Sequence, residues 1–463
     1  MYTSLQKRLM KIILTWALLL SNFYSQSQIN TLRYNDNFTN LKNDSVQKVG
    51  FDNLKYIPLT ENTNISLGGE IRSQFQYYSN QNFGDVPSTF NKVSSGQIWQ
   101  RIMVHLNLEL GNKLRVFTQM ASTSRFLNPN PLIPEIDENQ LSLHQAFLDY
   151  TFNKNWKARI GRQEISYGNN RIITFRDGPN TRLTFDAAIF KFNSEKRKFD
   201  LFLLTPVISM PGVLDDKSFK DLIVGVHSTR TIKTNRLIAD FYSLSFLSNR
   251  RKYNYVAGKE SRQSLGTRVY SQNPKLNYEL EITYQYGTFN ELKINAYGIY
   301  LDINYKIDTK FKFLLGLASN YNSGDRNKND RQLNTYNLIF SKPQYGMTAP
   351  IGSSNIVAIN PYLKINPTEK INLYAGVYLM WRQSNQDGTY SPISIEVRPT
   401  PVSLFNSTKK DIGVQLSTEA NYMVNKNLSL GYEVAYFFAG KYVKETGNGK
   451  NITYTSFKVG YKF

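Results

Sequence analysis

The chain has 463 residues, a formal charge of +21, 14% aromatic residues and a mean hydropathy of −0.43. It has no cysteine, which excludes a disulfide framework, a thiolate metal site, a thiol nucleophile and a lipid-anchored cysteine. With only His105, His144 and His227, histidine metal ligation and histidine-based catalysis have almost no raw material.

The N-terminus reads as an export signal: Lys7, Arg8 and Lys11 precede the apolar run 12–20, and small residues stand at Ser25 and Ser27. The run is too short for a permanent membrane helix. Cleavage is expected before Gln28, with Gln26 as the alternative, so residues 1–27 are set aside. Those residues hold three cations and no acid, so the charge becomes 21 − 3 = +18. On an exported protein a basic excess attracts an anionic solute or lipopolysaccharide phosphate rather than nucleic acid. Residues 28–64 are polar and poorly periodic and are expected to form a periplasmic tail or short plug, too small for the globular plug of an energy-coupled receptor.

From residue 65 to 463 the chain alternates with period two. Eighteen segments are predicted near 65–78, 97–110, 113–123, 142–152, 155–163, 183–192, 197–207, 221–231 and 235–246, then 262–272, 275–287, 293–307, 310–320, 355–366, 370–382, 410–424, 427–438 and 452–463. Tight turn sequences join alternate pairs: Gly111-Asn112, Asn153-Lys154, Glu195-Lys196, Thr234-Asn235, Asn273-Pro274, Asp308-Thr309, Pro367-Thr368-Glu369 and Asn425-Lys426. Longer polar stretches lie between them, notably 124–141, 164–182, 321–354 and 383–409. This short–long rhythm predicts an all-β transmembrane, antiparallel up-and-down β-barrel of about eighteen strands in the outer membrane of a Gram-negative bacterium.

Alternation assigns the faces. Ile102, Val104, Leu106, Leu108 and Leu110 share one side of the second strand, while Arg101, His105, Asn107 and Glu109 share the other. The last strand places Phe457, Val459, Tyr461 and Phe463 together against Ser456, Lys458, Gly460 and Lys462. The same parity puts Glu70, Arg72, Gln74, Arg101, Arg115, Gln145, Asp149, Lys157, Arg159, Arg268, Arg382, Glu419, Glu433 and Lys458 inside. An Arg or Lys at mid-depth on the lipid side would cost about 2–4 kcal/mol, so these side chains are expected to face water.

The densest polar set is Arg159-Ile160-Gly161-Arg162-Gln163-Glu164, followed by Tyr167-Gly168, Arg171, Asn180, Arg182 and Phe185-Asp186. Guanidinium groups grip carboxylates through two parallel hydrogen bonds, and a row broken by acids would let an anionic chain step from site to site. The predicted solute path is Arg72, Arg101, Arg115, Asp149, Arg159, Arg162, Glu164, Arg171, Arg182, Asp186, Arg268 and Arg382. The structural alternative is a bulge at Gly161 and Gly168, where the long loop folds inward and Arg–Glu pairs hold it. Parity aims Arg162 outward, so the path needs that bulge or a position above the lipid band.

The runs 143–150 (Leu143-His144-Gln145-Ala146-Phe147-Leu148-Asp149-Tyr150), 159–168 and 178–186 (Gly178-Pro179-Asn180-Thr181-Arg182-Leu183-Thr184-Phe185-Asp186) resemble the core signature of the alginate export family. Ser323-Gly324-Asp325, Asn360-Pro361, Trp381-Arg382-Gln383-Ser384 and Asp387-Gly388-Thr389-Tyr390 extend the resemblance in order along the chain. It implies an eighteen-stranded monomer with an arginine-lined constriction passing an anionic uronic-acid polymer. The terminal Phe463 resembles the signal read by the barrel-insertion machinery. Two functions stay open: a channel for anionic oligo- or polysaccharide, and a general or small-anion porin. A barrel hydrolase would have to use His105 or His144 as base. The reading is of no enzyme, no cofactor, no metal and no nucleic-acid partner, with membrane lipid, lipopolysaccharide and an anionic saccharide as partners.

Overall fold

The computed structural model describes residues 30–42, 50–85, 94–127, 137–218, 221–233, 237–253, 256–327, 329–342, 345, 351–392, 397 and 407–463. The expected export signal and the Thr234-Asn235 turn lie outside them. The described strands are β1 (Ile57–Thr60), β2 (Thr63–Ser79), β3 (Ser95–Leu110), β4 (Leu114–Phe126), β5 (Asn139–Thr151), β6 (Trp156–Gln163) and β7 (Phe185–Asn193). They continue as β8 (Arg197–Ile208), β9 (Lys217–Ser218), β10 (Leu222–Lys233), β11 (Leu237–Tyr253), β12 (Val256–Ser271), β13 (Leu276–Phe289) and β14 (Leu292–Ile307). The last are β15 (Phe313–Asn322), β16 (Gln332–Leu333), β17 (Ile356–Thr368), β18 (Ile371–Trp381), β19 (Asp411–Met423), β20 (Leu428–Ala439) and β21 (Ile452–Lys462).

Setting aside the short β1, β9 and β16, each strand pairs antiparallel with the next, and β21 returns to β2 to close an 18-strand cylinder. At the seam Phe75 faces Phe457 and Ile71 faces Tyr461. The seam ends where Gly69 N donates to Phe463 O at 2.8 Å and Phe463 N donates to Gly69 O at 3.0 Å. Closure leaves no edge, so every strand's backbone is satisfied within the hydrocarbon layer. Among the described residues no helix is long and apolar enough to cross a membrane.

The predicted faces are observed. On β3, Ile102 and Val104 are 40% and 48% exposed while Arg101 and His105 are buried. Ile160, Leu203, Phe241, Leu265, Leu317 and Leu416 continue the exposed apolar belt on other strands. On a water-soluble surface such a belt would drive aggregation; around a barrel it is the lipid contact.

One stretch departs from apolar-out, polar-in. Phe185, Ile189, Phe202, Leu204, Ile223, Leu244 and Phe246 turn inward from β7, β8, β10 and β11 and are buried in one cluster with Ile165, Ile172, Ile173, Ile339 and Phe340. The partners come from the β6–β7 loop (164–184) and from Ile339 and Phe340 of the β15–β17 connection, which lie inside the bore. Thr174 N donates to Phe340 O at 3.1 Å, stitching the two loops together. This wall therefore has apolar residues on both faces, one for lipid and one for the folded-in loops.

At the periplasmic rim, marked by the short turns, residues 30–42 enter the mouth as two 3-10 turns, Arg33–Asn35 and Thr39–Lys42. Arg33 donates to Gly69 O at 2.6 Å and Phe463 O at 2.8 Å. Tyr34 packs on Phe117 and Phe147 of the inner wall.

Candidate solute pathway

The 164–184 loop decides what the bore looks like at mid-depth. It is locked by an irregularity in β5, where the register passes from Gln119↔Gln145 to Met120↔Leu143 and leaves His144 as an extra residue. The bulge turns both His144 and Gln145 inward. His144 Nε2 lies 2.9 Å from Glu164 Oε1, and Gln145 accepts from Glu164 N at 3.0 Å while donating to Gln119 at 2.7 Å. The alternative reading put a bulge at Gly161 and Gly168; register through Gly161 is unbroken. Gly161 instead adopts φ +126°, where a Cβ would sit 2.2 Å from Ala146 O, a position open only to glycine.

Four of the predicted path residues meet at this loop. Arg182 donates to Asp177 (2.7 Å), Glu70 (3.3 Å) and Glu164 (3.4 Å), and Arg101 donates to Glu70 (2.9 Å) and Asp177 (2.7 Å). Arg72 donates to the main-chain oxygens of Asp177 and Pro179, each at 2.8 Å. Arg72, Arg101 and Arg182 are thus matched by Glu70, Glu164 and Asp177 in a balanced lattice that fixes the loop to the β2–β3 wall. Desolvation opposes ionisation of Asp177, but Arg182, Arg101 and Arg72 hold its carboxyl well below the usual range. Asn180 completes the anchor by donating to Gln100 O, Ser124 O and Asp137 O.

A second group lies nearer the periplasmic rim. Arg159 forks onto Asp149 at 2.6 and 2.8 Å, with Arg115 and Lys157 each 3.8 Å from the same carboxylate. The Arg159 guanidinium is also stacked 4.0 Å from the Phe147 ring centroid and 4.4 Å from that of Tyr34. Here three cations share one acid, and the Lys157 side chain is 39% exposed.

Arg268 and Arg171 belong to another part of the wall. Arg268 forks onto Glu279 at 2.9 and 3.1 Å and reaches Asp240 at 2.9 Å, while Arg171 sits 3.0 Å above the Tyr300 ring.

Three predicted residues stand elsewhere. Arg162 faces Asp186 across β6 and β7, bonded at 2.8 and 3.1 Å, on the same side as exposed Ile160 and Phe190. Parity through an unbroken strand thus takes both Arg162 and Asp186 to the outer surface and off the lumenal wall, where they neutralise each other. Arg382 follows β18 and points its guanidinium at the main-chain oxygens of Asn385, Asp387, Ser407 and Lys409, with Tyr442 stacked at 3.7 Å. It ties residues 385–387 to residues 407–409 instead of lining a path.

Sequence reasoning missed Asp177, the acid on which the lattice turns. Its signal was the local turn Asp177-Gly178-Pro179 between Arg176 and Arg182. Also unweighed was a set of inward tyrosines, Tyr300, Tyr362, Tyr374 and Tyr378, whose parity is legible in their strands.

A closed cylinder with a greasy outside, a polar bore, short turns at one rim and long infolded loops from the other is an outer-membrane channel of a Gram-negative bacterium. The chain belongs to the alginate export family, whose model matches residues 63–455. No curated protein matches it. Among solved structures it is similar to OpdO of Pseudomonas aeruginosa (10% identity, TM-score 0.58, covering 88% of this chain and 98% of that one). A BenF-like porin from Pseudomonas fluorescens Pf-5 is similar at 8% identity and TM-score 0.58, over 86% and 98% of the two chains. P. aeruginosa OccK2 (OpdF), solved in complex with glucuronate, is similar at 9% identity and TM-score 0.57, over 86% and 98%. At these identities the likeness is one of fold.

Proposed function

We propose that the channel passes anionic saccharides of the uronate type. The observation that carries this reading is the cluster at Asp149, where Arg159, Arg115 and Lys157 share one carboxylate and Glu109 also acts on Arg115, three cations against two acids. The Arg72–Arg101–Arg182 lattice contributes little net field because its acids balance it; its part is to hold the constricting loop. Membership of a family described as alginate export, the glucuronate in a fold neighbour and the +18 of residues 28–463 support the same solute class. Arg159 is committed to Asp149 between two rings, so the cations of this cluster that can meet a solute carboxylate are Lys157 and the partly exposed Arg115.

Residues 30–42 act in this reading as a short plug narrowing the periplasmic mouth, and the chain works as a monomer. Phe463, which ends the closing strand, is the element the barrel-insertion machinery would read.

The reading is tested by the reversal potential of purified protein in a planar bilayer under a salt gradient. Wild type is expected to favour anions, and Lys157→Gln with Arg115→Gln to move the potential toward zero. A cation-selective or unselective wild-type pore contradicts it.

A further inference from the structure

Half-way round the cylinder from the Asp149 cluster, the inner wall of β14, β17 and β18 carries four tyrosines, Tyr300, Tyr362, Tyr374 and Tyr378. Tyr362 lies across its register partner Gly316, where a Cβ would come within 2.2 Å of the ring. A glycine at that position lets the ring lie down on the sheet with its other face toward the bore. Tyr374 lies alongside, its ring centroid 6.0 Å from that of Tyr362 and its plane within 30°. Tyr378 carries the row onward, with the Tyr374 and Tyr378 hydroxyls 2.9 Å apart. All three are half-buried, so the rings are neither sealed in a core nor loose in the lumen.

The hydroxyls are oriented as well. Tyr362 donates to Asp302 at 3.0 Å, Tyr300 donates to it at 3.2 Å and Asn304 at 2.8 Å. With their protons committed to Asp302, the Tyr300 and Tyr362 phenol oxygens have only lone pairs left to offer. Beside Asp302 opens a cavity of about 450 Å³ that also touches Tyr270, Glu279, Asn304 and Lys306, a lining of mixed acceptors and donors. Flat aromatic faces next to acceptors that are themselves held in place suit a pyranose ring, whose C–H face is apolar and whose edge is a rim of hydroxyl donors.

From this geometry we infer that the Tyr362–Tyr374–Tyr378 wall with Asp302 is a saccharide-binding track that holds sugar rings by stacking and by their hydroxyls. The inference rests on the saccharide reading above and adds a division of labour. The Asp149 side takes the carboxylate, and the tyrosine side takes the ring, whether or not that ring is charged.

Single-channel recordings with a mannuronate oligomer and a neutral manno-oligosaccharide of equal length test it in wild type, Tyr362→Leu, Tyr362→Phe and Asp302→Asn. Both oligomers are expected to block the wild-type current. Tyr362→Leu and Asp302→Asn should shorten both blocks about three- to tenfold, the range set by one aromatic contact, while the reversal potential of the Tyr362 variants in salt stays put. Tyr362→Phe keeps the ring and the fold and should lie in between. Block by the uronate alone, or blocks in Tyr362→Leu and Asp302→Asn that last as long as in wild type, would overturn the track and leave the anionic-saccharide channel standing. No block of the wild-type pore by either oligomer would overturn both.

Discussion

The Tyr34 hydroxyl donates to the main-chain oxygen of Glu164 at 2.9 Å, joining a segment that enters from the periplasmic mouth to a loop that enters from the opposite rim. Few contacts in a barrel span the bore in this way, and this one lies beside both charged clusters. Burial pushes the Tyr34 phenol up to about 12, so it remains a neutral donor throughout the physiological range.

Removing this tie should open the pore. Tyr34→Ala, or deletion of residues 30–42, is expected to raise single-channel conductance and increase current noise, because Arg159 loses one stacked ring and the 164–184 loop loses an anchor. Unchanged conductance in the deletion variant would show that the segment does not narrow the path.

Arg182 is bonded to three acids, two of them deeply buried. Arg182→Met leaves Glu70 and Glu164 short of a partner and is expected to cost about 3–5 kcal/mol, as for breaking a buried ion pair from one side. The measurement is the temperature at which the barrel loses its heat-modifiable mobility in detergent. Adding Glu164→Gln to Arg182→Met should recover part of the loss; strict additivity of the two changes would mean that the groups are not coupled.

Arg382 gives the opposite expectation. Its guanidinium feeds loop carbonyls, so Arg382→Ala should loosen residues 385–387 and 407–409, seen as faster amide exchange there, while ion selectivity stays as in wild type. A shift in reversal potential as large as that from the Lys157 and Arg115 changes would place Arg382 on the path after all.

The segments that follow β15 and β18 meet at Asp325 and Asp387, where Asp325 N donates to Asp387 Oδ2 at 2.8 Å. Burial, then the neighbouring Asp387 and Asp330, push the Asp325 carboxyl up to about 6, and burial also raises Asp387. For an acid whose folded value is raised, the stabilising contribution is complete below its unfolded value near 3.8 and is lost as pH climbs through about 6. The loop junction should therefore exchange amides faster at pH 8 than at pH 5, beyond the intrinsic rate change. Asp325→Asn should flatten that difference, and a junction equally protected at both pH values contradicts the assignment.

The eighteen strands were legible because a lipid-facing residue must alternate with a lumenal one, and eight turn sequences punctuate the alternation. What parity could not show is where the loops go. The inward apolar residues of β7 to β11 make sense only once Ile173 and Phe340 are packed on them; the unbroken apolar runs Ala187 to Phe190, Leu201 to Leu204 and Leu222 to Val224 are their trace in sequence, marking strands covered on both faces. Likewise the bulge at His144 puts one extra residue in β5 and flips the parity, inward positions passing from Ser142 and His144 to Gln145, Phe147 and Asp149. Arg162 read as path because it sits within the densest basic run, yet period two alone places it with Ile160 on the outside.

The central claim, an anionic-saccharide channel, is tested most directly by flux into proteoliposomes holding the purified protein. A fluorescent uronate oligomer is expected to enter faster than a neutral oligosaccharide of equal length, and the Lys157→Gln, Arg115→Gln variant to erase that preference. Exclusion of the uronate oligomer by vesicles that pass chloride freely would contradict the account.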